Sequence, residues 1–275
     1  MNEESLMRSR IRKILMICSN YDAFALEEDG RIENQVKNEY RELNLSNPPK
    51  FIWANSSAQA RDIIGSEEDI DMIICMYNEQ DKEIFPFASR LKDEGRGIPF
   101  ILLIHYSKAV RQRVLESPHP GVDFVFSWHG NADLILAIVK LLEDAANAEN
   151  DVFEVGVKGI LLVEDSIRYY SNYLPELYKI VLTQSREFLT ESLNDDQKKY
   201  RKRSRPKIFL ATCLEEAIAY FEKYRRNLLG VISDVGMVFH KGDDPKTEKL
   251  DAGIDLVRII RQYDPLLPVL LQSSQ

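Results

Sequence analysis

Acidic side chains follow two predicted strands in the second half of the chain. Glu164 and Asp165 come directly after the apolar run 159–163, and Asp234 comes directly after the run 229–233. Because the carboxyl ends of parallel strands meet at one edge of a sheet, we expect these three carboxylates to lie close together. Carboxylates at that spacing repel one another unless a hard cation lies among them, and Mg²⁺ prefers such oxygen ligands. The sequence therefore predicts a divalent metal site.

Asp234 is the predicted phosphoryl acceptor. A carboxylate beside a divalent cation can attack phosphorus, because the cation neutralises the incoming phosphoryl oxygens. A phosphatase of the haloacid-dehalogenase type would need a second aspartate two residues after the first, where this chain has Gly236. The sequence thus argues against that class of enzyme. The remaining alternative is that these acids are only solvated side chains at strand ends, in a protein that has lost the phosphoryl chemistry of its relatives.

Short apolar runs alternate with amphipathic stretches along the chain, which is typical of βαβ units and of a parallel sheet covered on both faces. The predicted fold class is therefore α/β, with a doubly wound sheet of five strands and five helices in the first half. The predicted strands are 13–18, 49–54, 71–76, 99–105 and 123–127, and the predicted helices are about 21–43, 57–64, 82–94, 107–115 and 131–146.

The strand and helix pattern restarts after the apolar period is lost near Asn147. We place the domain boundary near Asn150, which gives domains 1–149 and 150–275. Segments 13–19 and 99–105 align with 159–165 and 268–274, so the two halves are predicted to share one fold. Only four strands are predicted in the second half, which would end inside its domain. We expect the open edge of its fourth strand to be covered by self-association or by the first half.

Three segments of the second half carry a family resemblance. They read GILLVEDS at 159–166, GVISDVGM at 230–237 and PVLLQSS at 268–274. In this order they resemble the receiver domain of two-component response regulators, over residues 158–275. The resemblance implies two flavodoxin-like (βα)5 domains of the receiver type, the second truncated after its fourth strand.

The resemblance also implies roles for individual residues. Asp234 would be phosphorylated by a histidine kinase or a phosphotransfer protein. Mg²⁺ would be held by Glu164, Asp165, Asp234 and the backbone carbonyl of Gly236. Ser273 would be the switch hydroxyl that hydrogen-bonds to the phosphoryl group.

Two features depart from the receiver pattern. The lysine that receivers carry after the fifth strand would lie beyond Gln275, and extra chain, Phe239–Leu250, follows the acceptor strand. The kinetics of phosphorylation are therefore not predicted.

The first half lacks the residues that this chemistry needs. The same alignment places Cys18 and Ser19 at the acidic pair, Met76 at the acceptor, Ile104 at the switch hydroxyl and Trp128 at the lysine. A thioether cannot accept a phosphoryl group, and a thiol with a hydroxyl offers no anionic oxygen to Mg²⁺. We therefore predict a pseudo-receiver that serves as a protein-docking module.

Composition excludes several other classes of protein. The net charge is −8 and the isoelectric point about 5.2, with no basic excess in either half, which argues against nucleic-acid binding. The apolar runs are far shorter than the roughly 20 residues of a membrane-spanning helix, and the first residues do not read as a secretory signal, so we expect a cytoplasmic protein without membrane contact. The three cysteines have no CxxC spacing and indicate neither a zinc site nor a disulfide framework.

The predicted function is therefore a phosphorelay switch and not an enzyme, beyond slow self-phosphorylation and self-dephosphorylation. Two alternatives stay open. The chain could be a non-phosphorylated protein-interaction scaffold, or the regulatory N-terminal part of a larger enzyme that resembles phosphoenolpyruvate synthase.

Overall fold

The computed structural model describes residues 7–19, 32–43, 45, 47–66, 69–105, 120–190 and 205–273. The chain divides into two compact units, one formed by Ile11–Leu136 and the other by the chain from Ala137 onward together with the residues before Ile11. The domain boundary at residues 149 and 150 that the sequence suggests falls inside the second unit and stays a prediction.

The first unit contains a five-stranded parallel sheet in the order β2-β1-β3-β4-β5. This is the order of flavodoxin-like doubly wound sheets. The strands are almost continuously apolar, as expected for a parallel sheet that helices cover on both faces. They are β1 (Lys13–Ile17), β2 (Lys50–Ala54), β3 (Met72–Met76), β4 (Phe100–His105) and β5 (Phe124–Trp128).

Helices connect these strands where the sequence has amphipathic stretches. Each of the five predicted strands and four of the five predicted helices are present, with ends that shift by a few residues. The predicted helix at 107–115 and the residues before Ile32 in the first predicted helix lie outside the described residues. The described helices are α1 (Ile32–Glu42), α2 (Ser57–Ser66), α3 (Ile84–Asp93) and α4 (Ala132–Ala148).

The second unit contains a four-stranded parallel sheet in the order β7-β6-β8-β9. Strand β9 lies at the edge of this sheet, and self-association through that edge stays a prediction. The strands are β6 (Gly159–Val163), β7 (Lys207–Ala211), β8 (Leu228–Asp234) and β9 (Val269–Gln272), and the helices are α5 (Ile167–Thr190), α6 (Leu214–Tyr224) and α7 (Ala252–Tyr263).

One apolar cluster joins the second sheet to its helices. It contains Leu161 and Val163 of β6, Phe221 of α6, and Leu256 and Ile260 of α7, all of them buried. Burying these side chains stabilises the sheet by removing apolar surface from water. The cluster fixes β6 and β8 side by side, and the site described below stands at their carboxyl ends.

A network of buried charges connects the end of α4 to strand β7. The carboxylate of Asp144 accepts hydrogen bonds from Arg205 at 2.7 and 3.0 Å and from the Tyr178 hydroxyl at 2.9 Å. Lys207 lies 2.7 Å from a carboxylate oxygen of Asp151 and 3.6 Å from Asp144. Burial alone would raise the pKa of Asp144, but Arg205 and Lys207 outweigh it and lower that pKa.

This network explains why the helical path continues beyond the point where the apolar period is lost. After α4 the chain forms one turn of π-helix, Glu149–Glu154, and buried Asp151 lies in that turn. No helix in the described part of the chain is long and apolar enough to cross a membrane.

Candidate functional site

Three carboxylates meet at the carboxyl ends of β6 and β8. One oxygen from each of Glu164, Asp165 and Asp234 lies within 4.8 Å of the other two. The register explains this convergence, since Val163 pairs with Ser233 and both strands are followed or ended by acids. The structure thus brings together the three side chains that the sequence places at one edge of the sheet.

Glu164 is the buried member of the cluster, with 1% of its surface exposed. Its Oε1 accepts a hydrogen bond from the backbone N–H of Ser166 at 3.0 Å, and its Oε2 accepts one from the Gln272 side chain at 3.3 Å. Burial, together with the negative charges of Asp234 and Asp165, raises the pKa of Glu164 to about 8.

Asp165 lies beside Glu164 and is half-buried. Its Oδ2 accepts a hydrogen bond from the backbone N–H of Val238 at 3.2 Å. Burial raises the pKa of Asp165 to about 6, and the charges of Glu248 and Asp234 contribute to the rise. In the absence of a bound cation, the carboxyl groups of Glu164 and Asp165 therefore ionise less readily than exposed ones.

Asp234 ends strand β8 and is partly exposed. Its Oδ1 accepts a hydrogen bond from the backbone N–H of Val235 at 2.7 Å, which orients the carboxylate. Burial raises the pKa of Asp234, while backbone hydrogen bonds from Val235 and Gly236 oppose that rise.

Helix α7 begins directly against the end of β8. The backbone N–H of Gly253 donates to the carbonyl of Val235 at 2.8 Å. A Cβ atom at Gly253 would lie 2.1 Å from the carbonyl oxygen of Asp234, so only glycine permits this approach. The end of β8 and the start of α7 are thereby held in close contact.

The extra chain after β8 folds over the start of α6. Met237 and Lys249 form an antiparallel bridge with N···O distances of 3.2 and 3.0 Å, which closes the loop between them. The carbonyl of Val238 accepts from Leu214 N–H at 3.1 Å, at the first turn of α6. This loop thus supplies the backbone N–H that holds Asp165.

The loop also carries a carboxylate to the site. A Cβ atom at Gly236 would lie 2.2 Å from Oε1 of Glu248, so the Glu248 carboxylate covers Gly236. Glu248 and Gln272 are site residues that the sequence analysis does not identify. The sequence signal for Gln272 is its place at the end of a predicted strand, and the structure pairs it with Asp234. Nothing in the sequence pattern indicates the position of Glu248.

Ser273 follows Gln272 at the exposed end of β9. Its role as a switch hydroxyl stays a prediction, as does the role of the Gly236 carbonyl as a metal ligand.

Among the residues described at the strand ends of the first sheet, no comparable cluster is present. Ile17 pairs with Cys75 just as Val163 pairs with Ser233, so Met76 stands where Asp234 stands in the second sheet. The side chains of Cys18, Cys75 and Met76 are buried. Among the described residues of this unit, no group of metal-binding side chains comes together.

The second-sheet cluster suits a hard divalent cation. All three of its side chains offer carboxylate oxygens, which Mg²⁺ prefers over nitrogen or sulfur ligands. Within the described segments no lysine or arginine forms an ion pair with Glu164, Asp165 or Asp234. The donor set and the raised pKa values both fit a site that binds a cation.

Comparisons with known proteins give no family assignment. No protein-family model matches the chain. No curated protein matches it either. Two solved structures described as two-component system response regulator/GGDEF domain proteins are similar at 17% identity, cover 94% of this chain and 82% of theirs, and have TM-scores of 0.35 and 0.33. GanP, a glucose-galactose binding protein from Geobacillus stearothermophilus, is similar at 12% identity, with coverage of 96% and 78% and a TM-score of 0.26. At this level of similarity no activity can be transferred from these proteins to the chain.

Proposed function

We propose that the second unit is a receiver-type switch in which Asp234 accepts a phosphoryl group. The observation that carries this proposal is the convergence of Glu164, Asp165 and Asp234 within 4.8 Å at the ends of β6 and β8. In doubly wound sheets, ligand sites lie at the carboxyl ends of the parallel strands.

Glu164, Asp165, Asp234 and the Gly236 carbonyl would hold Mg²⁺. When bound, the cation would supply positive charge that offsets the charge of the phosphoryl oxygens. The protein's own contribution is to orient the acceptor through the Val235 N–H and to hold Asp165 through the Val238 N–H.

The donor in this proposal is a histidine kinase or a phosphotransfer protein. An oxygen of the Asp234 carboxylate attacks phosphorus, the bond from phosphorus to the donor's histidine nitrogen breaks, and an acyl phosphate forms while the imidazole leaves with its electron pair. Beyond slow self-phosphorylation and self-dephosphorylation the chain is not an enzyme in this proposal, and it acts in the cytoplasm. Ser273 would hydrogen-bond to the phosphoryl group.

The first unit would act as a docking module with a pseudo-receiver fold. Its strand-end positions carry Cys18 and Met76, which cannot support the same chemistry. The two units would then be a tandem pair in which only the second is switched.

Beryllofluoride binding tests this proposal, because the ion imitates a phosphoryl group on an aspartate. We expect the full chain to bind it only in the presence of Mg²⁺, as seen by fluorine NMR, and Asp234→Asn to abolish the bound signal. Absence of binding to the unchanged chain would instead support the interaction scaffold.

A further inference from the structure

The loop after β8 presents a fourth carboxylate to the candidate site. Glu248 lies next to Lys249, which forms the bridge to Met237, and this bridge brings the Glu248 side chain over Gly236. The charge of Glu248 acts on Asp165, which is itself held by the backbone of the same loop. The loop is therefore part of the electrostatic environment of the site.

Two lysines of this loop pair with acids other than Glu248. Lys249 pairs with Asp255 of α7, and Lys241 lies 3.5 Å from Glu216 of α6. Within the described residues no ion pair involves Glu248. Its carboxylate thus lies at the edge of the acidic cluster without an ion-pair partner among the described residues.

We propose that Glu248 is a specificity-determining residue of this site, which strengthens divalent cation binding and slows phosphoryl transfer from anionic donors. The inference rests on the proposed function, because it concerns the cation and the donor of that same site. One charge produces both effects, since a carboxylate attracts a cation and repels an incoming phosphate. Because Glu248 is exposed, both effects should weaken with added salt.

The test compares Glu248→Gln with the unchanged chain of 275 residues. Mn²⁺ affinity is measured by calorimetry, and the labelling rate of Asp234 by acetyl phosphate is measured at saturating Mg²⁺ by intact mass. We expect roughly threefold to tenfold weaker Mn²⁺ binding and a labelling rate that is faster by a similar factor. The matched control is Glu222→Gln, which removes one exposed charge near the far end of α6 and should change neither quantity.

Gly236→Ala offers an independent way to move the same carboxylate. The added Cβ would meet the flexible end of Glu248 at 2.2 Å and displace it, while the backbone carbonyl of residue 236 is retained. We expect this variant to shift both quantities in the same directions as Glu248→Gln. The double variant should differ little from either single variant in Mn²⁺ affinity and labelling rate, because each substitution removes the same effect of the Glu248 carboxylate on the site.

The outcomes separate the inference from the proposed function. If Mn²⁺ does not bind the unchanged chain, both are overturned. If Mn²⁺ binds but Asp234 is never labelled, the phosphorylation proposal fails and weaker Mn²⁺ binding by Glu248→Gln still supports the cation part. Unchanged values in Glu248→Gln, or a joint loss of binding and labelling, would overturn the role of Glu248 alone.

Discussion

The two units share parallel β-α architecture but differ in where they place charge. Every buried charged side chain among the described residues belongs to the second unit. They are Lys140, Glu143, Asp144, Asp151, Glu164, Arg205 and Lys207. In the first unit the buried positions are apolar or carry small hydroxyls, and the strand ends carry Cys18 and Met76.

This difference separates the requirements of the fold from those of the site. Apolar strands and amphipathic helices build a parallel sheet in both units. The residues at the strand ends differ between the two units although both sheets are parallel, since a fold does not by itself decide which site it carries. Buried charge in the second unit is of two kinds. The Asp144 network is paired internally, whereas no lysine or arginine in the described part of the chain pairs with the Glu164 cluster.

The sharpest test of the comparison substitutes the residues at two equivalent positions, Asp234 in the second sheet and Met76 in the first. We expect Asp234→Asn to lose acetyl-phosphate labelling completely, because the amide is not a nucleophile toward phosphorus. Met76→Asp should gain no label, since its strand end has no acidic partners for a cation. Mass spectrometry of peptides locates the label. Retained labelling in Asp234→Asn would move the acceptor elsewhere.

The paired network should dominate stability. Asp144→Ala leaves Arg205 and Lys207 without their shared partner, and removing one member of a buried ion pair typically costs about 3–5 kcal/mol. Urea unfolding of the full chain, followed separately in each unit, measures the loss, which should fall on the second unit. Glu149→Gln breaks an exposed ion pair with Lys223 and serves as the control, with little change expected.

Substitution in the cluster of Glu164, Asp165 and Asp234 should raise stability, whereas substitution in the Asp144 network lowers it. Glu164→Gln removes a buried charge that has no lysine or arginine partner among the described residues, so unfolding without metal should require more denaturant at pH 8. The same variant should bind Mn²⁺ at least roughly tenfold more weakly, since an anionic ligand is lost. Calorimetry and denaturant titration measure the two effects. If Glu164→Gln lost both stability and Mn²⁺ affinity, the view that Glu164 favours cation binding at the expense of stability would be contradicted.

The pH dependence gives the most graded effect. The pKa of Glu164 in the folded chain is about 8, above its ordinary value of 4.5, so between these values the folded chain holds a proton that the unfolded chain has released. The stabilising contribution is then complete below pH 4.5 and is lost as pH rises through 8.

A cation competes with that proton, so Mn²⁺ affinity should rise with pH and level off above about pH 8, with a second step near pH 6 from Asp165. Glu164→Gln should remove the upper step and retain the lower one. An affinity that does not change between pH 5.5 and 8.5 would contradict the pKa directions.

The sequence by itself determined the α/β architecture and the convergence of three acids. Apolar runs of strand length, alternating with amphipathic stretches, have one common solution in which strands are parallel and helices cover them. Acids that directly follow two such strands must then share an edge. For this reason the position of Asp234 beside Glu164 could be predicted from local pattern alone.

Only the tertiary structure decided which other charges join or stabilise that site. Glu248 reaches Gly236 through a long-range bridge, and Asp144 meets Arg205 across 61 positions of sequence. A buried, paired carboxylate and a solvated one look the same in a sequence. The stretch around Asn147 therefore resembles the polar end of a helix, although Asp144 and Asp151 on either side of it are buried. Burial and partner are properties of the folded chain, because they depend on which distant residues the packing brings within hydrogen-bond distance.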